Sequence, residues 1–329
     1  MDLIESGLVM VKKLSKKYLI DGLRQGDKRC ASHLMSLVED GSPIGEECLG
    51  ALNLTNKSTY VMGVTGWPGV GKSTLVYRIA RSFLAQDKQV GIIAIDPSSP
   101  FTGGSLLGDR ERMKGIDGDE RLFIRSAATR GHTGGIASST RGYIKVMEAM
   151  GKEVVIMETV GVGQDQVSVT QMADTIILIL IPGMGDYIQS LKAGVLETGD
   201  IFVVNKSDRE GVNQTIADLK MIISPTGYHS KWTPPILKTI AINGSGIDEL
   251  VGQINRHRQY LKEHKLSIKK RQSVAKAEVL EIIKSRCLQY VAERIELEDR
   301  LDRYARQICD GSSDPYAAAD GILTEIGMI

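Results

Sequence analysis

The stretch Thr59–Thr74, TYVMGVTGWPGVGKST, constrains this chain more than any other. It reads as a buried strand, a glycine-rich turn and the start of a helix. Within it, Gly66-Trp67-Pro68-Gly69-Val70-Gly71-Lys72-Ser73 fits G-x-x-x-x-G-K-[ST], a phosphate-binding loop. Glycines let successive backbone N–H groups curl around a polyphosphate, and the helix N-terminus adds partial positive charge. Lys72 is placed to reach β- and γ-phosphates and the Ser73 hydroxyl to bind Mg²⁺, with Thr74 following in the same turn. A merely structural glycine turn does not require this full pattern between a β-branched run and a helical one. Trp67 suits three roles equally: covering the nucleotide, meeting a partner, or packing on the solvent side.

Composition removes several function classes. The 329 residues carry 41 basic and 40 acidic groups, a formal net charge of +1. No global basic field exists for nucleic acid or an anionic membrane, and no basic-aromatic groove stands out. Cys30, Cys48, Cys287 and Cys309 lack C-x-x-C spacing, which suggests neither a zinc site nor a disulfide framework and fits a reduced, cytoplasmic setting. The N-terminal MDLIESGLVMVKK has no signal-peptide core, and Asp2 and Glu5 argue against a transit peptide. No apolar run approaches the roughly 18 residues of a membrane span. The greasiest stretch, Thr175–Pro182, is strand length and β-branched, hence a central strand buried on both faces.

Three regions follow. Residues 1–56 read as an N-terminal helical extension, with Leu14, Ile20, Leu23, Leu34, Leu37 and Val38 near helical spacing and Gly41-Ser42-Pro43 as a break. Residues 57–264 alternate strands and helices, with strands expected at 59–65, 90–95, 121–125, 153–158, 174–181, 200–204 and 236–240. That is an α/β, doubly wound, mostly parallel sheet, in which ligands sit beyond the carboxyl ends of strands. Residues 265–329 form a charged C-terminal helical arm.

The remaining motifs fall at strand ends. Asp96 follows one strand and suits either a Mg²⁺ shell or a simple turn. Asp109, in a glycine-punctuated loop, reads by itself as an ordinary helix cap. Arg130, His132 and Arg141 lie in a polar stretch and read as surface residues. Glu158-Thr159-Val160-Gly161 closes another strand, and its carboxylate three residues before a glycine matches the Mg²⁺-sensing position of P-loop GTPases. Most such proteins use Asp; the longer Glu158 suits contact through water or in one nucleotide state only. Val162 stands where Ras-like proteins carry the water-orienting Gln, and Gln164 comes later, which argues for slow hydrolysis helped from elsewhere. Gly183, Gly185 and Asp186 follow the greasy strand as a mobile segment or a plain connector.

Asn205-Lys206-Ser207-Asp208 is N-K-x-D, the guanine-reading pattern. Asp208 can accept from guanine N1–H and N2–H₂ together, whereas adenine has a donor at neither position. Asn205 can bond the base and brace the P-loop, and the Lys206 stem can cover the ring. Thr239–Gly244 lies where a backbone N–H meets guanine O6, with Ala241 or Ile242 as donor and Ile240 replacing the usual Ser. In the arm, Leu280, Ile283, Cys287, Tyr290, Arg294, Leu297, Leu301, Tyr304 and Ile308 alternate three and four apart. Such a seam on a charged helix suits a partner helix and a homodimer, with folding back onto the chain's own main domain as the alternative. Pro315 suits the first turn of a last helix.

Together, GVTGWPGVGKST, AIDPSSPFTGGSLLGDRERM, GHTGGIASSTR, METVGVGQDQV, LIPGMGDYIQSLKAG, VVNKSD and DPYAAA closely resemble the methylmalonyl-CoA mutase accessory GTPases of the MeaB/ArgK type. The resemblance runs from about residue 20 to the end. It implies a P-loop GTPase core that binds GTP or GDP with Mg²⁺, and a C-terminal dimerisation arm. It implies a chaperone that protects, loads or reactivates an adenosylcobalamin-dependent acyl-CoA mutase. By the same match, Lys72, Asp109 and Glu158 are catalytic, and Ser73, Asp96 and Glu158 lie near the metal. Gly161 and Gln164 form one switch; residues 182–194, with Gly183, Gly185, Asp186 and Lys192, form an extra one coupled to the mutase. Relatives have also been labelled kinases of an amino-acid transport system, and N-K-S-D argues against that ATP-using reading. A metal-insertion GTPase is a further alternative, against which the lack of His-rich tracts counts.

Overall fold

The computed structural model describes residues 15–52, 59–96, 118–128, 135–159, 171–184, 198–223 and 232–327. Seven strands form one sheet: β1 (Tyr60–Gly66), β2 (Val90–Asp96), β3 (Leu122–Ala128), β4 (Val154–Thr159), β5 (Thr175–Leu180), β6 (Ile201–Val204) and β7 (Ile236–Lys238). Their order is β3-β2-β4-β1-β5-β6-β7, and every pairing is parallel. The expected doubly wound α/β sheet is thus present, with β1 between β4 and β5. The last strand is shorter than its apolar pattern suggests. It ends at Lys238, because Ile240 leaves the ladder to bridge Ser245 in an antiparallel pair.

Helices cover both faces. On one, α4 (Lys72–Ala85) and α7 (Ile247–Glu263) bury their apolar stripes. Leu75, Val76, Ile79 and Phe83 meet Leu250, Val251 and Ile254 over Met62, Val64, Ile92, Ile156 and Ile177. Each fully buried large side chain contributes roughly 1.5–3 kcal/mol. On the other face lie α1 (Lys16–Arg24), α2 (Lys28–Glu39), α3 (Pro43–Ala51) and α5 (Gly135–Ala149). There Leu19, Leu23, Leu34, Met35 and Tyr143 pack with Val61, Ile93, Phe123, Val155 and Met157. The N-terminal helices therefore complete the main core. Asp27 caps α2 by accepting from the Arg29 N–H at 2.7 Å, and such backbone bonds hold its carboxyl below the usual range. Beyond β5 and β6, Leu178, Leu180, Phe202 and Val204 pack with Leu219 of α6 (Val212–Ile223).

Met1–Arg271 form one compact unit and Gln272–Ile329 a second. The arm consists of α8 (Leu266–Arg294), α9 (Leu297–Cys309) and α10 (Pro315–Glu325). The nine-residue seam expected on one helix is therefore split. Leu280, Ile283, Cys287, Tyr290 and Arg294 belong to α8, while Leu297, Leu301, Tyr304 and Ile308 belong to α9. Glu296 leaves helical geometry and takes the N-cap of α9. Arg294, the polar break in the seam, lies over the Tyr290 ring at 4.2 Å. Asp314 caps α10 through the Tyr316 and Ala317 N–H groups, and Glu325 pairs with Arg300 and Arg303 of α9. No described helix is long and apolar enough to cross a membrane.

Candidate functional site

The site forms at the carboxyl edge of the sheet, where β1 turns into α4. Gly66 closes β1 with φ +151°, and a Cβ there would collide with the carbonyl oxygen of Ile179 on β5. Gly71 caps α4 with φ +97°, and a Cβ there would sit 2.5 Å from Asn205 Nδ2. Both positions need glycine on conformational and steric grounds. Pro68 and Gly69 are exposed at the tip of the turn, Val70 is buried beneath it, and Thr74 is half-buried in the first turn of α4. Trp67 is partly exposed.

Lys72 is buried, and its Nζ donates to the carbonyls of Gly66 at 2.9 Å and Trp67 at 3.0 Å. Burial lowers its pKa, and the nearby Glu158 carboxylate opposes that shift. A buried cation held by carbonyl dipoles at a helix N-terminus gains most from a highly charged anion.

Glu158 sits near the end of β4, in register with Val64 on one side and Ala94 on the other. It is buried and accepts from the Ser73 Oγ–H at 2.6 Å. Thr159 Oγ1 donates to Thr65 Oγ1 at 3.2 Å. The hydroxyl and carboxylate oxygens of Ser73 and Glu158, adjoining Lys72, are the hard donors that Mg²⁺ accepts. The donor set thus fits that ion. Asp96 ends β2 with its backbone in register with Ala128; its side chain lies outside the described set.

Asn205 joins the Gly66–Ser73 turn to the loop that follows β7. Its Nδ2 donates to the Val70 carbonyl at 2.8 Å, and its Oδ1 accepts from Thr239 Oγ1 at 3.1 Å and the Ala241 N–H at 3.0 Å. Lys206 adopts φ +55°, unusual outside glycine, while its Nζ donates to the Gly69 carbonyl at 2.8 Å. Asp208 follows in the same turn with an exposed carboxylate.

The Ala241 N–H, one of two donors the sequence offers to a base, is thus taken by Asn205. Ile242 is exposed, and its N–H has no partner among the described residues. Arg78, from the second turn of α4, donates through Nε to the Ala241 carbonyl at 2.9 Å and through Nη2 to the Ile242 carbonyl. Sequence reasoning singles out neither Arg78 nor the Thr239 hydroxyl. Arg78 reads locally as a solvated helix residue, and its partners lie more than 160 positions away. Of the switch residues, Gly183 occupies a turn after β5 with φ +87°. Asp109, Gly161, Gln164, Gly185, Asp186 and Lys192, with Arg130 and His132, lie outside the described residues.

Comparison with known proteins agrees with this geometry. Residues 31–296 match the profile of a family described as "Methylmalonyl Co-A mutase-associated GTPase MeaB". A Pyrococcus abyssi protein, provisionally named a GTPase, is 40% identical over 314 residues, 94% of this chain and 96% of that one. The GTPase ArgK of Escherichia coli is 33% identical over 308 residues, 91% of each chain. The mouse mitochondrial methylmalonic aciduria type A homolog is 28% identical over 326 residues, 93% of this chain and 78% of that one. Among solved structures, one titled as an LAO/AO transport system kinase superposes with a TM-score of 0.72, 24% identity and 96% and 99% coverage, a likeness of fold.

Proposed function

This chain belongs to the methylmalonyl-CoA mutase-associated GTPase family, and on that premise we propose that it is a cytoplasmic, Mg²⁺-dependent GTPase serving an adenosylcobalamin-dependent acyl-CoA mutase. The observation that carries the nucleotide reading is Asn205. It ties the Val70 carbonyl of the P-loop to the Ala241 N–H of the base-reading loop, so phosphate and base elements share one cleft. The free Cys30 and Cys48 thiols, buried in the core, support a reducing compartment. Kinship with the mouse homolog supports the mutase reading.

In the proposed reaction Lys72 exchanges the Gly66 and Trp67 carbonyls for β- and γ-phosphate oxygens. Ser73 and Glu158 would hold Mg²⁺, with Asp96 at the neighbouring strand end. The ion would supply neutralisation of the phosphate charge. Ser73 Oγ keeps its lone pairs while its hydrogen bonds Glu158, so it can face the ion without breaking that bond. Asp109 orients the attacking water, Asp208 reads the guanine edge, and Asn205 and Lys206 fix the loop that carries it. Gly161 and Gln164 sense the γ-phosphate, while Gly183, Gly185, Asp186 and Lys192 relay nucleotide state to the mutase. With Val162 in place of a water-orienting Gln, turnover alone is slow and the mutase accelerates it.

We also propose a homodimer formed through α8. Leu280, Ile283 and Tyr290 are 51%, 52% and 44% exposed along it, more than a lone helix face normally leaves to water. Leu280→Asp with Ile283→Asp is expected to yield a monomer that still binds GTP. Size exclusion with light scattering decides this, and a monomeric wild type at micromolar concentration contradicts it.

The test of function is GTP hydrolysis with and without a purified adenosylcobalamin-dependent acyl-CoA mutase. The expected result is slow GTP-specific turnover, accelerated on addition of the mutase. Equal use of ATP, or a mutase that neither binds nor changes the rate, overturns it.

A further inference from the structure

The loop Ile240–Ser245 is closed on itself. Ile240 N–H bonds the Ser245 carbonyl, Asn243 and Gly244 N–H bond the Ile240 carbonyl, and Ser245 N–H bonds Asn243 Oδ1. With Ala241 N–H on Asn205, only the Ile242 N–H lacks a partner among the described residues. Both carbonyls beside that donor, those of Ala241 and Ile242, are gripped by the single guanidinium of Arg78. Arg78 stands on the helix whose first turn carries Lys72 and Ser73.

A planar guanidinium bonding two successive carbonyls fixes the peptide between them in orientation as well as position. The Ile242 N–H belongs to that peptide, since it follows the Ala241 carbonyl. We propose that Arg78 is a positioning residue for base recognition: it sets the Ala241–Ile242 peptide so that its N–H meets guanine O6. It thereby ties base reading to the phosphate-binding helix. This rests on the guanine-nucleotide reading above and adds a selectivity element outside its motifs.

The test uses the full chain and two probes, GDP and 2-aminopurine riboside diphosphate, which keeps the N2 amino group but lacks O6. Calorimetric titration of Arg78→Met is expected to show about tenfold weaker GDP binding, the scale of losing charge-assisted hydrogen bonds. Binding of the 2-aminopurine nucleotide, which offers Ile242 N–H no oxygen, changes by less than about twofold. Arg78→Lys, which can reach one carbonyl but not grip two, falls between and serves if the Met variant does not fold. Equal losses for both probes, or none for either, overturn the positioning role and leave the guanine reading standing. A wild type that binds ADP as tightly as GDP removes the guanine reading and this inference with it.

Discussion

The two ends of the sheet carry buried polar networks of opposite character. At the carboxyl end, Lys72, Ser73, Glu158 and Asn205 converge on a turn made from glycines. At the amino end of the same strands, the Tyr60 and Thr175 hydroxyls share a hydrogen bond, and the Thr175 hydroxyl also bonds His257 Nδ1 at 2.8 Å. His257 Nε2 faces Asp200 Oδ1 at 3.5 Å, Asp200 accepts from the Ile176 N–H, and the Trp232 ring packs tilted against the imidazole with centroids 4.6 Å apart. The amino-end groups find their partners in one another and in the backbone. The carboxyl end holds a buried cation, Lys72, bonded to the Gly66 and Trp67 carbonyls with the Glu158 carboxylate nearby, an arrangement well suited to an anion from outside. On the proposed function, the difference separates a network that stabilises the fold from one that serves a ligand.

The largest expected effect on that contrast is Lys72→Ala. Mg-GTP binding or turnover falls by about 10²-fold or more, while thermal stability changes by no more than about 1 kcal/mol. A large loss of stability with little loss of GTP binding reverses the comparison. His257→Phe gives the mirror image. It removes one of the partners of the Thr175 hydroxyl and of Asp200, so stability falls by about 2–3 kcal/mol while GDP affinity of the folded protein is kept. Chemical denaturation beside calorimetric titration checks both.

A smaller effect sharpens the amino-end account. Burial raises the Asp200 pKa to about 6 and lowers that of His257 to about 4. A raised carboxyl pKa contributes stability that is complete below the ordinary value of 3.8 and lost as pH rises through about 6. A lowered histidine pKa contributes stability present above 6.5 and lost as pH falls through about 4. The slopes oppose one another across this window, so wild-type stability is nearly flat there as far as this pair governs it. Asp174 beside Val61, Glu148, Arg258, Lys270 and Arg271 also face the cluster and stay constant in the comparison. Asp200→Asn leaves the histidine alone, and stability then falls by about 2–3 kcal/mol as pH drops from 6.5 to 4. A flat profile in that variant sinks the assignment. The Asp200 side chain is 27% exposed, so screening reduces its own share.

Local signals carried most of the fold and part of the site. The apolar runs announce all seven strands, with ends within about two residues except in β3, which runs three residues past its expected end, because a strand buried on both faces has little choice of composition. Gly66, Gly71, Lys72 and Asn205 are legible because each meets a local demand: a positive φ, a helix N-terminus, or a strand end. Arg78 is not legible, since its partners become neighbours only after the sheet forms. The amino-end network escapes for the same reason: His257 reads as one more residue on a helix face until Thr175 and Asp200 arrive from other strands. The break at Ile295–Glu296 carries no Gly or Pro, and the surrounding residues favour helix, so the heptad spacing runs straight through it.

The account rests on the carboxyl end being a guanine site, and nucleotide titration of Asp208→Asn tests that most directly. Wild type should bind GDP well above ADP and xanthosine diphosphate. The variant should lose at least about 2 kcal/mol toward GDP and gain affinity for xanthosine diphosphate, whose ring accepts where guanine donates. Unchanged GDP affinity in a folded Asp208→Asn protein, or a wild type indifferent to the base, would contradict it.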